Sequence, residues 1–155
     1  MIFLLIAIVI FIADFIIKDY IERNKKENDS ELIIKDKVIL RKVYNKGIMF
    51  NIGEDKAEFI TGLSVGVFAI VLFGYIHLLL KNGYGVLKLG ASFVIGGAAS
   101  NIYDRLMKKK VVDYFSINTK VKKIKQIVFN ISDWFIFLGA IIIFISQIRS
   151  RKEPK

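Results

Sequence analysis

The sequence predicts an all-α integral membrane protein, with four transmembrane helices and a small extramembrane β element, on three observations. Of its 155 residues 54% are hydrophobic and 25% charged, yet the two classes fall into separate blocks instead of mixing at helix or strand period. Four apolar segments, about 2–21, 59–80, 86–107 and 133–148, are near or somewhat below the ~20 residues a helix needs to cross a ~30 Å hydrocarbon core. The one proline, Pro154, lies outside all four, and backbone in lipid must satisfy its own polar groups, so each run is expected to be an uninterrupted helix.

Taken in order, MIFLLIAIVIFIA at the amino terminus has no basic n-region and no small-x-small cleavage site, and reads as a retained span. The long connection 22–58 contains ELIIKDKVILRKVYNKGIMFNIG, which alternates apolar and charged residues as strands do, with Asn45-Lys46-Gly47 as a turn signal. The second span carries Gly62 and Gly66 as a GxxxG, and the third a small-residue patch of Gly96, Ala99 and Ser100, both suited to close helix contact. KNGYG at 81–85 is a tight turn between them. The connection 108–132 joins VVDYFSI to the basic KVKKIKQIVF, a strand or an amphipathic segment on the headgroups. The last span must start at the interface to be long enough. All of this is one membrane-embedded domain over 1–155.

Cysteine is absent, which excludes disulfides, thiolate metal sites and a Cys nucleophile. The net charge of +10 sits in short loops flanking apolar spans, where lipid headgroups are nearer than nucleic acid, so no nucleic-acid partner is expected. Membrane lipid is, with anionic headgroups as the expected contact of the Lys-rich stretch Lys120, Lys122, Lys123 and Lys125.

Four spans bring the end of the first, the start of the second, the end of the third and the start of the fourth to one membrane face, where Asp14, Lys18, Asp104, Arg105, Asp113 and Asp133 all gather. An ionisable group at membrane depth costs at least ~2.5–3.5 kcal/mol, so such a layer points to a catalytic or transport site. Asp14 and Lys18, spaced i, i+4, are either a self-neutralised pair or a support for that site. Asn101, Asp104 and Arg105 form one polar stripe, for which an Asp104–Arg105 ion pair or a solvated helix-end patch is the simple structural reading. Asp113 lies among Val111, Val112, Tyr114 and Phe115, so its carboxyl is expected to be partly desolvated with a raised pKa. Asn130 and Asp133 open the fourth span as a cap and a first-turn acid. Two carboxylates meeting at one face can also share a proton and divide the work of deprotonating water and polarising a carbonyl. Asn45 and Gly47 are a turn, or a place to hold an extended peptide. His77, alone near the far end of the second span, is an interfacial residue.

Read together, DFIIK (14–18), NKGIMF (45–50), GGAASNIYDR (96–105), VVDYF (111–115) and FNISD (129–133) resemble signal peptidase II, the bacterial lipoprotein signal peptidase family. The resemblance spans most of the chain. It implies a four-helix membrane aspartic protease that cuts the signal peptide from diacylglyceryl-modified prolipoproteins. Asp113 and Asp133 would be the dyad, and Asp14, Lys18, Asn45, Gly47, Asn101, Asp104, Arg105 and Asn130 would shape the site and hold substrate, without metal or cofactor. The chain departs from the family's usual pattern at Ser100, where a Gly precedes the Asn; at Ile48 and Met49, where small residues follow NxG; and in FNISD, where the family favours FNxAD. Bulk at 48 and 49 bears on substrate preference, not on the dyad.

The resemblance also implies the bacterial cell membrane, with the site at the extracytoplasmic face. A positive-inside count implies the reverse, since the two long loops hold nine and seven Lys or Arg against six at the opposite face. Five ordered motifs outweigh that bias. Three other readings stand beside the protease. A small ion or proton-coupled transporter would need a polar path through both leaflets, yet the second span and the far half of every span are nearly free of polar residues. A non-catalytic paralogue that binds lipidated peptides would not need an intact dyad. A metal hydrolase on Asp104, Asp113 and Asp133 would lack the His or Cys typical of such sites.

Overall fold

Helix α1 spans Ile2–Asn24 and leads into strands β1 (Ser30–Ile33) and β2 (Val38–Asn45). A short 3-10 turn over Glu54–Lys56 starts α2 (Ala57–Leu80), which turns sharply into α3 (Gly85–Lys108). Strand β3 (Val111–Ile117), the five-residue helix α4 (Lys122–Gln126) and the final helix α5 (Ile131–Lys152) follow. The computed structural model describes residues 1–27, 29–47 and 53–152. Ile48, Met49 and Pro154 lie outside them.

Each long helix runs up to four residues past its apolar run, because polar residues at the interface continue the hydrogen-bond ladder. Among the described residues α2, α3 and α5 are long and apolar enough to cross a membrane. Helix α1 has the same length, but Asp14, Lys18 and Asp19 in its second half keep length and composition alone from placing it with the others. Large apolar side chains lie open on the outer faces, among them Phe59, Ile70, Phe73 and Phe144. A water-soluble monomer rarely exposes so much contiguous apolar surface, and the chain is a multi-pass membrane protein.

Helix α3 is the centre, packed against α1, α2 and α5. Its glycines explain why it can be. A Cβ on Gly96 would lie 2.6 Å from the carbonyl oxygen of Ala7, and one on Gly97 would lie 2.5 Å from that of Ser132. The predicted contact motif on α2 behaves differently: a Cβ on Gly62 or Gly66 would meet nothing within 4 Å, so among the described residues the GxxxG brings no other helix close.

The strands form an antiparallel sheet in the order β1-β2-β3, at the end of the bundle where α1 leaves and α5 enters. The hairpin turn between β1 and β2 falls at residues 34–37, with Ile34, Lys35 and Asp36 in the left-handed region. Asn45-Lys46-Gly47 ends β2 instead of forming that turn. The two readings of the second long loop are divided along it, VVDYFSI being strand and KKIKQ helix. Val112 and Tyr114 pack on Ile21 of α1, and fully burying a side chain such as Val112 contributes about 1.5–3 kcal/mol toward fixing the sheet on the bundle.

Candidate active site

Strand β3 sorts its side chains by period 2. Val112 and Tyr114 turn to α1, while Val111 and Asp113 line a cavity on the opposite side. Opposite them β2 carries a bulge, two residues (Arg41 and Lys42) facing one, which resets the register so that Val43 pairs with Asp113 and Asn45 with Val111. Asn45 then sits diagonal to Asp113 on the same face, and its Nδ2 donates to Asp113 Oδ2 at 3.2 Å.

Helix α5 brings the second carboxyl. Asn130 and Asp133 make a reciprocal cap: Asp133 N donates to Asn130 Oδ1 at 3.0 Å, and Asn130 N donates to Asp133 Oδ2 at 3.0 Å. With its oxygen so engaged, the Asn130 amide turns its Nδ2 outward, donating to Asp113 Oδ1 at 2.8 Å and Asn101 Oδ1 at 3.1 Å. The capping reading and the site reading therefore describe one arrangement.

Asn101 of α3 closes the circuit. Its Oδ1 accepts from Lys18 Nζ at 2.8 Å, and its Nδ2 donates to Asp133 Oδ1 at 2.9 Å. Lysine can only donate, so Lys18 dictates which end of the amide meets Asp133. Each carboxyl of the Asp113/Asp133 pair thus receives two N–H donors. Asp113 is only 4% exposed, and burial, with the charge of Asp133 adding to it, pushes its carboxyl up to about 7. A pair with one carboxyl ionised and the other protonated offers a base and an acid to one bound group.

Behind the pair lies a closed ionic cluster. Asp14 and Lys18 are 0% and 1% exposed and 2.8 Å apart, and Lys18 also lies 3.2 Å from Asp104. Asp104 pairs with Lys108 at 2.9 Å and accepts from Val112 N at 3.2 Å, which anchors β3 to α3. Neither plain structural reading of Asp104 and Arg105 holds: they do not pair, and Asp104 is buried rather than solvated. Successive helix residues point about 100° apart, so Asp104 faces this cluster while Arg105 faces the cavity and donates to the Gly47 carbonyl at 2.7 Å.

The sequence reading passed over three supports. Ser100 and Ser132 each donate to Asp14 Oδ2 at 2.6 Å, and Tyr114 OH donates to Asp14 Oδ1 at 3.0 Å while accepting from Ile131 N at 2.9 Å. Burial, and then the charge of Asp14, hold the Tyr114 phenol above its ordinary range. The signal for the serines was present, since both stand where the resembled family favours Gly or Ala. Tyr114 could have been found from its alternation with Asp113.

The cavity holds about 700 Å³. Asn45, Asn101, Arg105, Asp113 and Asp133 form its polar end, and Phe129, Trp134, Ile136, Phe137 and Ala140 its apolar wall. Phe115 and Trp134 stack beside it, and Phe129 packs at a tilt against both. Polar residues are not confined to this half of the bundle, as the sequence had suggested. Tyr75, Lys88 and Ser92 are buried in the other, with Tyr75 OH 3.0 Å from Ser92 Oγ. The tight contact of Gly96 and Ala7 lies between the two clusters along α3 and α1.

The family model described as "Signal peptidase (SPase) II" matches residues 6–149. A lipoprotein signal peptidase of Lactobacillus johnsonii is 30% identical over 143 residues, covering 92% of this chain and 89% of that protein. One of Moorella thermoacetica is 32% identical over 141 residues, covering 91% and 89%. Among solved structures, one described as a bacterial membrane enzyme, obtained by the in meso method at 2.3 Å resolution, superposes with a TM-score of 0.83 at 25% identity, covering 99% of this chain and 92% of its own.

Proposed function

The chain belongs to the signal peptidase II family, and we propose that it removes signal peptides from diacylglyceryl-modified prolipoproteins as an aspartic endopeptidase, with Asp113 and Asp133 as its dyad. It is a protease, and prolipoproteins are its substrates. The observation that carries the aspartic assignment is that two carboxyls from separate elements converge at the polar end of one cavity, each held by two N–H donors.

The dyad shares one proton in the resting enzyme, because burial and the neighbouring charge disfavour the ionised form of Asp113 and two like charges cannot both stand at one site. Asp133 takes a proton from water as the water attacks the scissile carbonyl. Asp113 gives its proton to the carbonyl oxygen; as the tetrahedral intermediate collapses, Asp133 passes the proton it took from water to the leaving amide nitrogen and Asp113 recovers its own from the intermediate's hydroxyl. Asn45, Arg105 and Gly47 hold the extended peptide, and the apolar wall takes its hydrophobic part. Helix α1 is the fourth span: Asp14 and Lys18 neutralise each other and face α3, so lipid meets only its apolar side. The site lies near the extracytoplasmic face of the bacterial cell membrane.

The test is cleavage of a diacylglyceryl-modified prolipoprotein by purified, detergent-solubilised protein. Wild type is expected to cut with or without chelator, and Asp113→Asn and Asp133→Asn, at equal folded amount, to lose at least ~100-fold, the low end of a general acid–base contribution. Retention of cutting by either variant would overturn the dyad.

A further inference from the structure

The segment 118–126 lies along the sheet and next to the membrane entry of α5. Asn118 N donates to the Lys37 carbonyl at 2.8 Å and its Nδ2 to that of Asp36 at 2.7 Å, which ties the segment to the β1–β2 turn. At its other end Arg41 Nη2 donates to the Lys125 carbonyl and to Ser116 Oγ. Burial lowers the pKa of that guanidinium, and an arginine in a protein stays protonated, so the tether keeps its donors. The segment is thus tethered at both ends to the extramembrane sheet.

What it displays is specific. Lys120, Lys122, Lys123 and Lys125 are all exposed, and Lys35 and Lys37 extend the basic surface onto the adjoining turn. Among the described residues none of these six lies within 4 Å of a carboxylate. Between them Val121 and Ile124, spaced i, i+3, are 53% and 42% exposed, and Ile34 at the turn is 66% exposed. Lysines flanking open aliphatic side chains are poorly matched to water and well matched to a bilayer interface, where the aliphatics enter the acyl boundary and the ammonium groups meet phosphates.

Position makes the bilayer the available partner. Only residues 127–130 separate α4 from α5, so the chain can hold Gln126 at most about 18 Å from the first residue of that span. We propose that α4 and the adjoining β1–β2 turn form a docking surface for anionic phospholipid headgroups of the leaflet at the active-site end. A seat of this kind places the rim of the cavity, which begins at Ile127, at headgroup depth.

The absence of cysteine makes the test direct, because Gln126→Cys carries the one possible thiol label. The labelled protein is reconstituted into phosphatidylcholine vesicles containing phosphatidylglycerol. Fluorescence quenching is compared when bromine is carried by one lipid or the other at equal mole fraction. Brominated phosphatidylglycerol is expected to quench at least about twofold more strongly. That preference should vanish near ~1 M salt, where the screening length is ~3 Å, and in the variant with Lys120, Lys122, Lys123 and Lys125 all changed to Gln. Because those lysines lie outside the cavity, the variant should keep prolipoprotein cleavage in neutral detergent, which reports its fold. Equal quenching by the two lipids would overturn the proposal. So would quenching by aqueous iodide with none from either bromolipid, which would make the segment a solvent-facing or acidic-peptide-binding surface.

Discussion

Replacing Lys18 by Met should destabilise the protein more than any other single change outside the dyad. Lys18 is 1% exposed and serves four partners: Asp14 at 2.8 Å, Asp104 at 3.2 Å, Ser100 Oγ at 3.2 Å and Asn101 Oδ1 at 2.8 Å. Met fills nearly the same volume, so the cost is electrostatic rather than a cavity. Asp104 keeps Lys108, but Asp14 is left with only hydroxyl donors around a fully buried carboxylate. Breaking a buried pair by removing one partner costs about 3–5 kcal/mol, a large part of a typical total stability of ~5–15 kcal/mol. The assay is reversible unfolding in mixed micelles of increasing denaturing detergent, followed by far-UV circular dichroism and by the fluorescence of Trp134. Asp14→Asn in the Lys18→Met background removes the orphaned charge and should restore about 1–3 kcal/mol. A Lys18→Met protein within ~1 kcal/mol of wild type, or no recovery in the double variant, would refute the view that this lysine neutralises the cluster.

Three further outcomes follow from the same geometry. Because the Asp113 carboxyl in the folded protein is raised to about 7, the native state holds a proton that the unfolded chain releases near 4; stability should fall as pH rises from about 4 to about 7, and Asp113→Asn should flatten that slope in unfolding measured across pH. Ser100→Ala and Ser132→Ala each delete a donor to the same Asp14 oxygen and should cost about 1.5–3 kcal/mol apiece, with a double variant that departs from additivity by more than ~0.5 kcal/mol; strict additivity would show that the hydroxyls do not share Asp14. Gly97→Ala, which would set a methyl 2.5 Å from the Ser132 carbonyl, should cost about 1–3 kcal/mol and lower kcat by shifting Asp133. Gly62→Ala, facing open space, should leave both unchanged, and equal effects at the two sites would contradict the packing.

The long helices were legible because lipid removes alternatives: an apolar run without proline can only be helical. The layer of ionisable residues was legible for the same reason, since each charge stands out against its surroundings. What the pattern did not disclose depends on rotation about a helix axis or on register across a sheet. Asp104 and Arg105 are neighbours in sequence, so pairing them looked natural, but a turn of about 100° sends one to Lys18 and the other to the cavity. The bulge at Arg41–Lys42, which decides that Asn45 reaches Asp113, has no mark in an alternating strand. The GxxxG on α2 matched the composition of a contact without its partner, because small residues permit close approach and do not by themselves supply a neighbour.

The dyad's geometry rests on features that carry no catalytic signature of their own. An amide can turn either end toward a carboxylate, and with its oxygen forward Asn101 or Asn130 would repel the group it should hold. Two constraints remove that freedom. The N-terminus of α5 offers a backbone N–H at Asp133, which claims the Asn130 oxygen, and the ammonium of Lys18 claims the oxygen of Asn101. Both nitrogens must then face the carboxyls, at 2.8 Å from Asp113 and 2.9 Å from Asp133. Lys18 in turn is fixed by Asp14, and Asp14 by Ser100, Ser132 and Tyr114, so the orientation of the site is inherited from a buried cluster that joins α1, α3, β3 and α5. Substitutions in that cluster should therefore lower kcat with little effect on KM, since the peptide contacts proposed above are Asn45, Arg105 and the apolar wall. A rise in KM with kcat intact in Lys18→Arg, which keeps the charge and changes the donor geometry, would place the cluster in substrate binding.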